Sequence, residues 1–404
     1  MANMKSETGD DEMADNTSHA SLGAAKSAKN DEFYTQYSDI EAEMNAYIEY
    51  NPNVFKGKTI LLPCDDPEWS NFTRYFANNF ERLGLRKLIS TSYAKGAGNQ
   101  QLSLFEESSP LYDEAKHETQ GKLFTLTHDK DNSGNIDTDD LEFKGYLEGD
   151  GDFRSEEVCK LRDEADIVIT NPPFSLFREF LAWIMDGKKQ FVIIGSQNAI
   201  TYKEVFPLIK NNEIWLGAPF PSGNAYFYVP DGVDVSVYAK GVYDPATKQL
   251  HFRNCRWFTN LDYGARHEWL MIDTMAHNLK FNKKLKKKLN AEDKKAKYPH
   301  YDNYDAIEVP FTECIPSDYE GIMGVPITFM DKYNPDQFEI INLSRYLTDS
   351  KGMTKEFVDT YYSQGNKGQI FEGHPDLCYY TLDGKAIVPY MRVLIRAKKE
   401  GRTK

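Results

Sequence analysis

An apolar run that ends in Asn171-Pro172-Pro173-Phe174 constrains this chain more than any other stretch. The run spans Ala165 to Ile169, with Asp166 opening "DIVIT", and reads as a buried parallel strand. The segment after the loop, "LFREFLAWIM", reads as a helix. Strand, proline-rigid polar loop and helix in that order predict an open α/β sheet. Ligands bind such sheets beyond the carboxyl ends of the strands. An amide, two prolines and an aromatic ring at that place are suited to holding a planar amine still while a group is transferred to it.

The 404 residues can bury a large core and predict two domains. No stretch approaches the roughly twenty apolar residues of a membrane span. The first residues lack the basic start and apolar core of a secretory signal. Cys64, Cys159, Cys255, Cys314 and Cys378 are odd in number and widely spaced. They predict a disulfide-free cytoplasmic protein with no thiolate zinc site. The net charge of -14 argues weakly against nucleic acid, whose phosphates reward Lys and Arg. The charge is unevenly spread, however. An acidic tail, residues 1–30, has few large apolar groups and is expected to be disordered. Basic residues gather in "LKFNKKLKKKLNAEDKKAK", residues 279–297.

Order is expected from about Phe33. "YSDIEAEMNAYIEY" has helical spacing, "GKTILLP" reads as a first strand, "PEWSNFTRYFANNFERLG" as a helix and "RKLISTSY" as a second strand. Residues 95–122 look like a mobile connection. "KLFTLTH" and "IDTDDLEFKGYL" flank a turn and predict an inserted hairpin. "EEVCKLRDE" predicts a short helix, "QFVIIG" a further strand, and "EIWLG" with "NAYFYVP" a hairpin that completes the sheet. Strands alternating with helices predict a doubly wound sheet. Beyond about residue 235 the pattern becomes aromatic, Lys-rich and irregular, so a second domain is placed there. Its closing "IVPYMRVLIR" is apolar enough for a buried strand that can return to the first domain.

An exocyclic amine is a poor nucleophile because its lone pair is delocalised into the ring. Two acceptors aimed at its N–H groups favour a more reactive nitrogen. The Asn171 side-chain oxygen and the Pro172 carbonyl can supply them. The two prolines restrict φ, and Phe174 can stack on the ring. The bland alternative is a turn in which Asn caps a helix. The transfer reading predicts an amine methyltransferase and requires S-adenosylmethionine. The donor belongs beyond the first strand, at Pro63-Cys64-Asp65-Asp66, where no glycine-rich loop is present. Asp65 and Asp66 can accept from the donor's cationic amino group, or simply favour a helix dipole. Asp152-Phe153 can read the donor's adenine, or be a loop acid beside a core aromatic. Tyr34-Thr35-Gln36 can bind the donor carboxylate.

Taken together, "FYTQYSDIEAEM", "LPCDDPEWSNFTRYF", "GDGDFRSEE", "DIVITNPPFSLFREF" and "NAITYKEVFPLI" resemble the EcoRI-type adenine-specific DNA methyltransferases. The later "CRWFTNL", "YPHYDNYDAIEV" and "GIMGVPITFMDKYNPDQFEI" are similar to that family as well, so the resemblance covers about residues 31–400. It implies a Rossmann-like methyltransferase sheet in residues 31–235 and a target-recognition region in 236–404. It implies methyl transfer from S-adenosylmethionine to adenine N6 in double-stranded DNA, by a monomer, within a restriction–modification system or alone. Asn171 to Phe174 match the catalytic motif, Asp152-Phe153 the cofactor-adenine segment and Tyr34 to Gln36 the N-terminal cofactor segment. The Lys-rich run can hold phosphates or be a solvated helix face, and Arg253 and Arg256 in "FRNCRWF" suit a groove-facing element. The alternatives are methylation of a protein glutamine or of RNA, and a DNA-binding protein with a relic fold. "DKDNSGNIDTDD", residues 129–140, resembles a calcium loop, but a strand-like segment precedes it. We read it as an acidic hairpin turn, with no metal.

Overall fold

The computed structural model describes residues 34–64, 67, 70–94, 109–220, 223, 225–229, 236, 241–252, 254–289 and 297–398. The acidic tail, Asp65, Asp66, Arg253, residues 95–108 and residues 290–296 of the Lys-rich run lie outside them. Two compact units divide the described residues. The first holds those up to Val205 together with Ile214–Tyr263, and the second holds Phe206–Glu213 and those from Gly264 onward.

The first unit is built on eight strands: β2 (Thr59–Leu62), β3 (Lys87–Thr91), β4 (Lys122–Leu126), β5 (Glu142–Tyr146), β6 (Ile167–Thr170), β7 (Gln190–Ser196), β8 (Trp215–Leu216) and β12 (Cys255–Thr259). Their order is β5-β4-β3-β2-β6-β7-β12-β8. The four central strands, β3, β2, β6 and β7, are parallel, and the two strands at each edge run antiparallel. The central strands are Val-, Ile- and Leu-rich and buried on both faces, as a parallel sheet requires. At the amino end, the Asp166 carboxylate accepts from the Thr59 N–H at 2.8 Å and from Arg86 at 2.9 Å. The acid that opens "DIVIT" thereby sets β6 beside β2.

Helices α1 (Tyr37–Tyr50) and α2 (Asn71–Asn78) bring Ile40, Met44, Tyr47, Phe72 and Phe76 into one cluster with Ile60, Ile167 and Ile194 of the strands. Ser70 caps α2, its side chain accepting from Phe72 and Thr73 N–H. The helix expected over residues 67–84 is interrupted. Asn79 leaves helical geometry (φ -114°, ψ 12°), and a short α3 (Phe80–Leu83) follows, closed by Gly84 in the left-handed region. The expected connection contains α4 (Glu114–His117). Helix α5 (Glu156–Glu164) precedes β6, and α6 (Phe177–Asp186) follows the NPPF loop. Gly195 in β7 makes room for α6, because a Cβ there would lie 2.3 Å from the Phe177 ring.

Three expectations are corrected. "EIWLG" and "NAYFYVP" do not pair with each other. Trp215–Leu216 joins the large sheet through β12, whereas β9 (Ala225–Tyr228) forms a separate antiparallel sheet with β1 (Tyr34–Thr35), β10 (Tyr243–Asp244) and β11 (Gln249–Phe252). "FRNCRWF" does not belong wholly to the later region: its second half is β12, with Trp257 and Phe258 in the core of the first unit. The closing run does not return to the first unit. Its strand β18 (Arg392–Ala397) lies between β14 (Ile322–Pro326) and β15 (Phe338–Leu343) in a sheet that β13 (Ala306–Glu308) completes. The buried Glu308 carboxylate holds it there, accepting from Arg392 at 2.7 Å. The second unit also contains the hairpin β16 (Tyr379–Tyr380) and β17 (Ala386–Ile387) and helices α7 (Phe206–Lys210), α8 (Met275–Phe281), α9 (Lys283–Leu289) and α10 (Lys355–Ser363). Among the described residues, no helix is long and apolar enough to cross a membrane.

Glu43, on the inner face of α1, is buried and accepts from the Tyr47 hydroxyl and from Ala218 N–H. A Cβ on Gly217 would lie 2.0 Å from its carboxylate, so only glycine fits. Burial pushes Glu43 from its ordinary 4.5 up to about 8. The fold thus prefers its protonated form. The resulting stability is fully present below pH 4.5 and is lost as pH rises through about 8. Urea denaturation across that range should show a loss of at least about 1 kcal/mol, and Glu43→Gln, which mimics the neutral acid, should reduce it most between about pH 6 and 8, above the range in which the buried Asp39 titrates.

Candidate active site

The order of the central strands creates the site. The chain leaves β2 to one side, to β3, and returns on the other side as β6. In open α/β sheets such a reversal of strand order is where ligands bind, beyond the carboxyl ends of β2 and β6. Pro63-Cys64 follows β2 and Asn171-Pro172 follows β6. The strands pair in register Leu61 to Val168, so the two loops start about 5 Å apart.

Asn171 is 4 % exposed, and Pro172 is also buried. Pro173 and Phe174 are half-buried. Phe174 meets Phe227 and Phe252 edge-on, at centroid distances of 6.4 and 6.3 Å. Both come from the small sheet, which therefore supports the ring without stacking on it.

Asp152 reaches the same edge by another route. The Ala94 N–H, just past β3, donates to the Asp150 carbonyl at 2.7 Å. Gly151 (φ 87°) packs so closely that a Cβ would lie 2.2 Å from the Ser92 carbonyl. This holds Asp152-Phe153 beyond the end of β3. Arg154 donates to both Asp152 oxygens, at 2.9 and 2.6 Å, and to Glu179 at 2.8 Å. Those bonds keep the Asp152 carboxyl below its usual range, so it is an acceptor only. Phe153 is 6 % exposed, packed edge-on against Phe180 and Trp183 with Arg154 over its ring.

The family model for the adenine-specific methyltransferase EcoRI matches residues 21–398. The chain belongs to this family. It is 41 % identical over 333 residues to the type II methyltransferase M.EcoRI of Escherichia coli, covering 82 % of this chain and 92 % of that protein. It is 34 % identical over 352 residues to the type II methyltransferase M.MpnI of Mycoplasma pneumoniae, covering 84 % and 91 %. The type II methyltransferase M.MgeORF184P of Mycoplasma genitalium is 33 % identical over 387 residues, covering 93 % and 98 %. No solved structure matches the chain.

Membership in the EcoRI methyltransferase family implies S-adenosylmethionine as donor, and the carboxyl edge suits a polar ligand. Buried polar groups nearly always have hydrogen-bond partners. Here Thr35 Oγ1, Gln36 Nε2, Asp39 Oδ2, Thr91 Oγ1 and Thr170 Oγ1 are buried without one among the described residues. Thr91 and Thr170 end β3 and β6, and Thr35 ends β1. The Asn71 side chain at the start of α2 donates to the Thr35 carbonyl at 2.8 Å. Thr35-Gln36 is thereby tied to the helix that follows the β2 loop, and the segments expected to hold the donor converge on one edge. The side chains of Asp65 and Asp66 fall outside the described residues.

Sequence reasoning did not single out Asp39, Thr91 and Thr170, each with a buried oxygen that lacks a partner among the described residues. The signal for Asp39 was an acid beside Ile40, on the face that Glu43, Met44 and Tyr47 bury. In the β4–β5 hairpin, the Asp129, Asp131 and Asp140 carboxylates lie within 4.8 Å of one another. The loop's own amides engage them: Asp140 accepts from Lys130, Asp131 and Asp137 N–H, and Asp129 from Ser133 and Gly134.

Gly151→Ala places a Cβ against Ser92 in a backbone conformation that alanine avoids. It should cost about 2 kcal/mol or more in thermal unfolding and weaken donor binding by calorimetry. A variant with wild-type stability and donor affinity would show that this packing does not position Asp152.

Proposed function

We propose that this protein is a site-specific DNA methyltransferase that modifies N6 of an adenine flipped out of the duplex. Membership in the EcoRI methyltransferase family supports the class. The observation that carries the chemistry is the buried Asn171-Pro172 pair at the strand-order reversal. When bound, S-adenosylmethionine supplies an electrophilic methyl group on sulfur.

The chain's own residues do the rest. Asn171 Oδ1 and the Pro172 carbonyl accept from the two N6–H groups, so negative dipoles face the nitrogen that becomes positive during attack. Because they belong to a proline-locked loop on a buried strand, they need little reorganisation. Phe174, braced by Phe227 and Phe252, takes the adenine face. Asn171 is not a strong base and need not be, since N6 sheds its proton after attack. Asp152 accepts from the donor's adenine amine, and Thr35-Gln36 takes the donor's carboxylate. Flipping costs a few kcal/mol, recovered by stacking and phosphate contacts. For phosphates the second unit offers α9, where Lys283, Lys286, Lys287 and Lys288 are exposed while Leu285 anchors the opposite face. A single chain suffices to methylate one strand per visit.

Incubation with methyl-labelled donor and separate DNA, RNA and protein pools should label DNA alone, as N6-methyladenine within one short shared sequence. Label confined to RNA or protein would refute the DNA assignment. Asn171→Ala should lower kcat on the order of 10²–10³-fold while leaving donor Kd within about twofold. Near-normal turnover in that variant would remove Asn171 from the mechanism.

A further inference from the structure

Asp39 is the one carboxylate at this edge, among the described residues, whose burial the fold leaves uncompensated. It is 7 % exposed, and its Oδ2 has no hydrogen-bond partner among those residues. Removing an ionised carboxylate from water without a partner costs several kcal/mol. The buried acids Glu43 and Glu308 are both satisfied, Glu43 by Tyr47 and Ala218, and Glu308 by Tyr301 and Arg392. Burial, with nothing to offset it, pushes Asp39 up to about 6.

Its position indicates what could compensate it. Asp39 lies in the first turn of α1, and side chains of a helix lean toward its N-terminus. That direction leads to Thr35 and Gln36, whose Oγ1 and Nε2 are also buried and unsatisfied. The Asp39 and Ile40 amides both donate to the Gln36 carbonyl, which fixes the turn in place. Asn71 joins the same segment to the helix that follows the β2 loop. An acceptor, a hydroxyl and an amide donor on the one segment Thr35 to Asp39 match an amino-acid zwitterion: the carboxylate goes to the hydroxyl and amide N–H, and the ammonium goes to the acid.

We propose that Asp39 binds the α-ammonium group of the donor's methionine end. The assignment rests on the methyltransferase reading and goes beyond it, since Tyr34 to Gln36 were expected to take only the carboxylate. An ammonium has three donors, so Asp39 need not be its sole acceptor. Arriving with the ligand, it supplies the counter-charge that Asp39 lacks.

Three ligands isolate this contact by calorimetry on the full chain. S-adenosylmethionine has both the ammonium and a charged sulfur. S-adenosylhomocysteine keeps the ammonium but loses the sulfur charge. 5′-Methylthioadenosine lacks the amino-acid end altogether. Asp39→Asn should weaken the first two by at least tenfold and leave the third within twofold, and Asp39→Ser should repeat the pattern. Retained methylthioadenosine affinity also shows that the variants fold. Unchanged affinity for all three ligands would overturn the proposal. So would weakening of S-adenosylmethionine alone, which would place Asp39 on the sulfonium, or equal weakening of all three, which would make its role structural. Wild-type protein that binds none of them would instead overturn the methyltransferase reading itself.

Discussion

The site depends on β6 lying parallel to β2, on the side away from β3. If β6 paired elsewhere, Asn171 and Pro63 would not share an edge. Two features hold the pairing. The strands are apolar on both faces, so each must be buried between helical layers. Asp166 then joins the amino ends of β2, β3 and β6 by accepting from Thr59 and Arg86. The proposed chemistry occupies the opposite end of the same strands, where the backbone has to leave the sheet. A rigid end and a divergent end on one set of strands position the polar loops without a ladder of their own.

Helix α1 shows how the fold treats buried charge. Glu43 and Asp39 are four residues apart on one helix, and both are held above the ordinary carboxylate range by burial. Glu43 has two donors and a glycine shaped around it, and it ties α1 to the strand end at Gly217-Ala218. Asp39 has neither. The contrast separates an acid that builds the structure from one the structure keeps available. Asp152 is a third case, a more accessible acid kept ionised by Arg154.

Much of this was legible in the sequence. Val168 and Ile169 before Asn171-Pro172 announce a strand that must stop, and the structure has it; the loop residues carry the types on which the proposed chemistry rests. The β4–β5 hairpin was visible because alternating segments flank an Asp-, Asn- and Gly-rich turn. Local patterns could not reveal long-range pairing. Ala225–Tyr228 has the composition of a strand next to Trp215–Leu216, yet its partners are Tyr34–Thr35 and Gln249–Phe252. Arg392–Ala397 was readable as buried, but Glu308, far away in the chain, decides which sheet receives it. The buried threonines Thr91 and Thr170 end apolar strands where a threonine is unremarkable, so only burial without a partner distinguishes them.

The antiparallel strand β12 covers the edge of β7. It follows β7 by roughly sixty residues, which at the usual rate of synthesis is about 3–12 s on the ribosome. During that interval the nascent sheet leaves the backbone groups of Val192, Ile193 and Ile194 unpaired along an apolar edge, a template for pairing with another chain. Completion of the catalytic sheet is therefore a race between translation and association. The cell can influence it through codon usage or a holdase chaperone without altering a residue of the site.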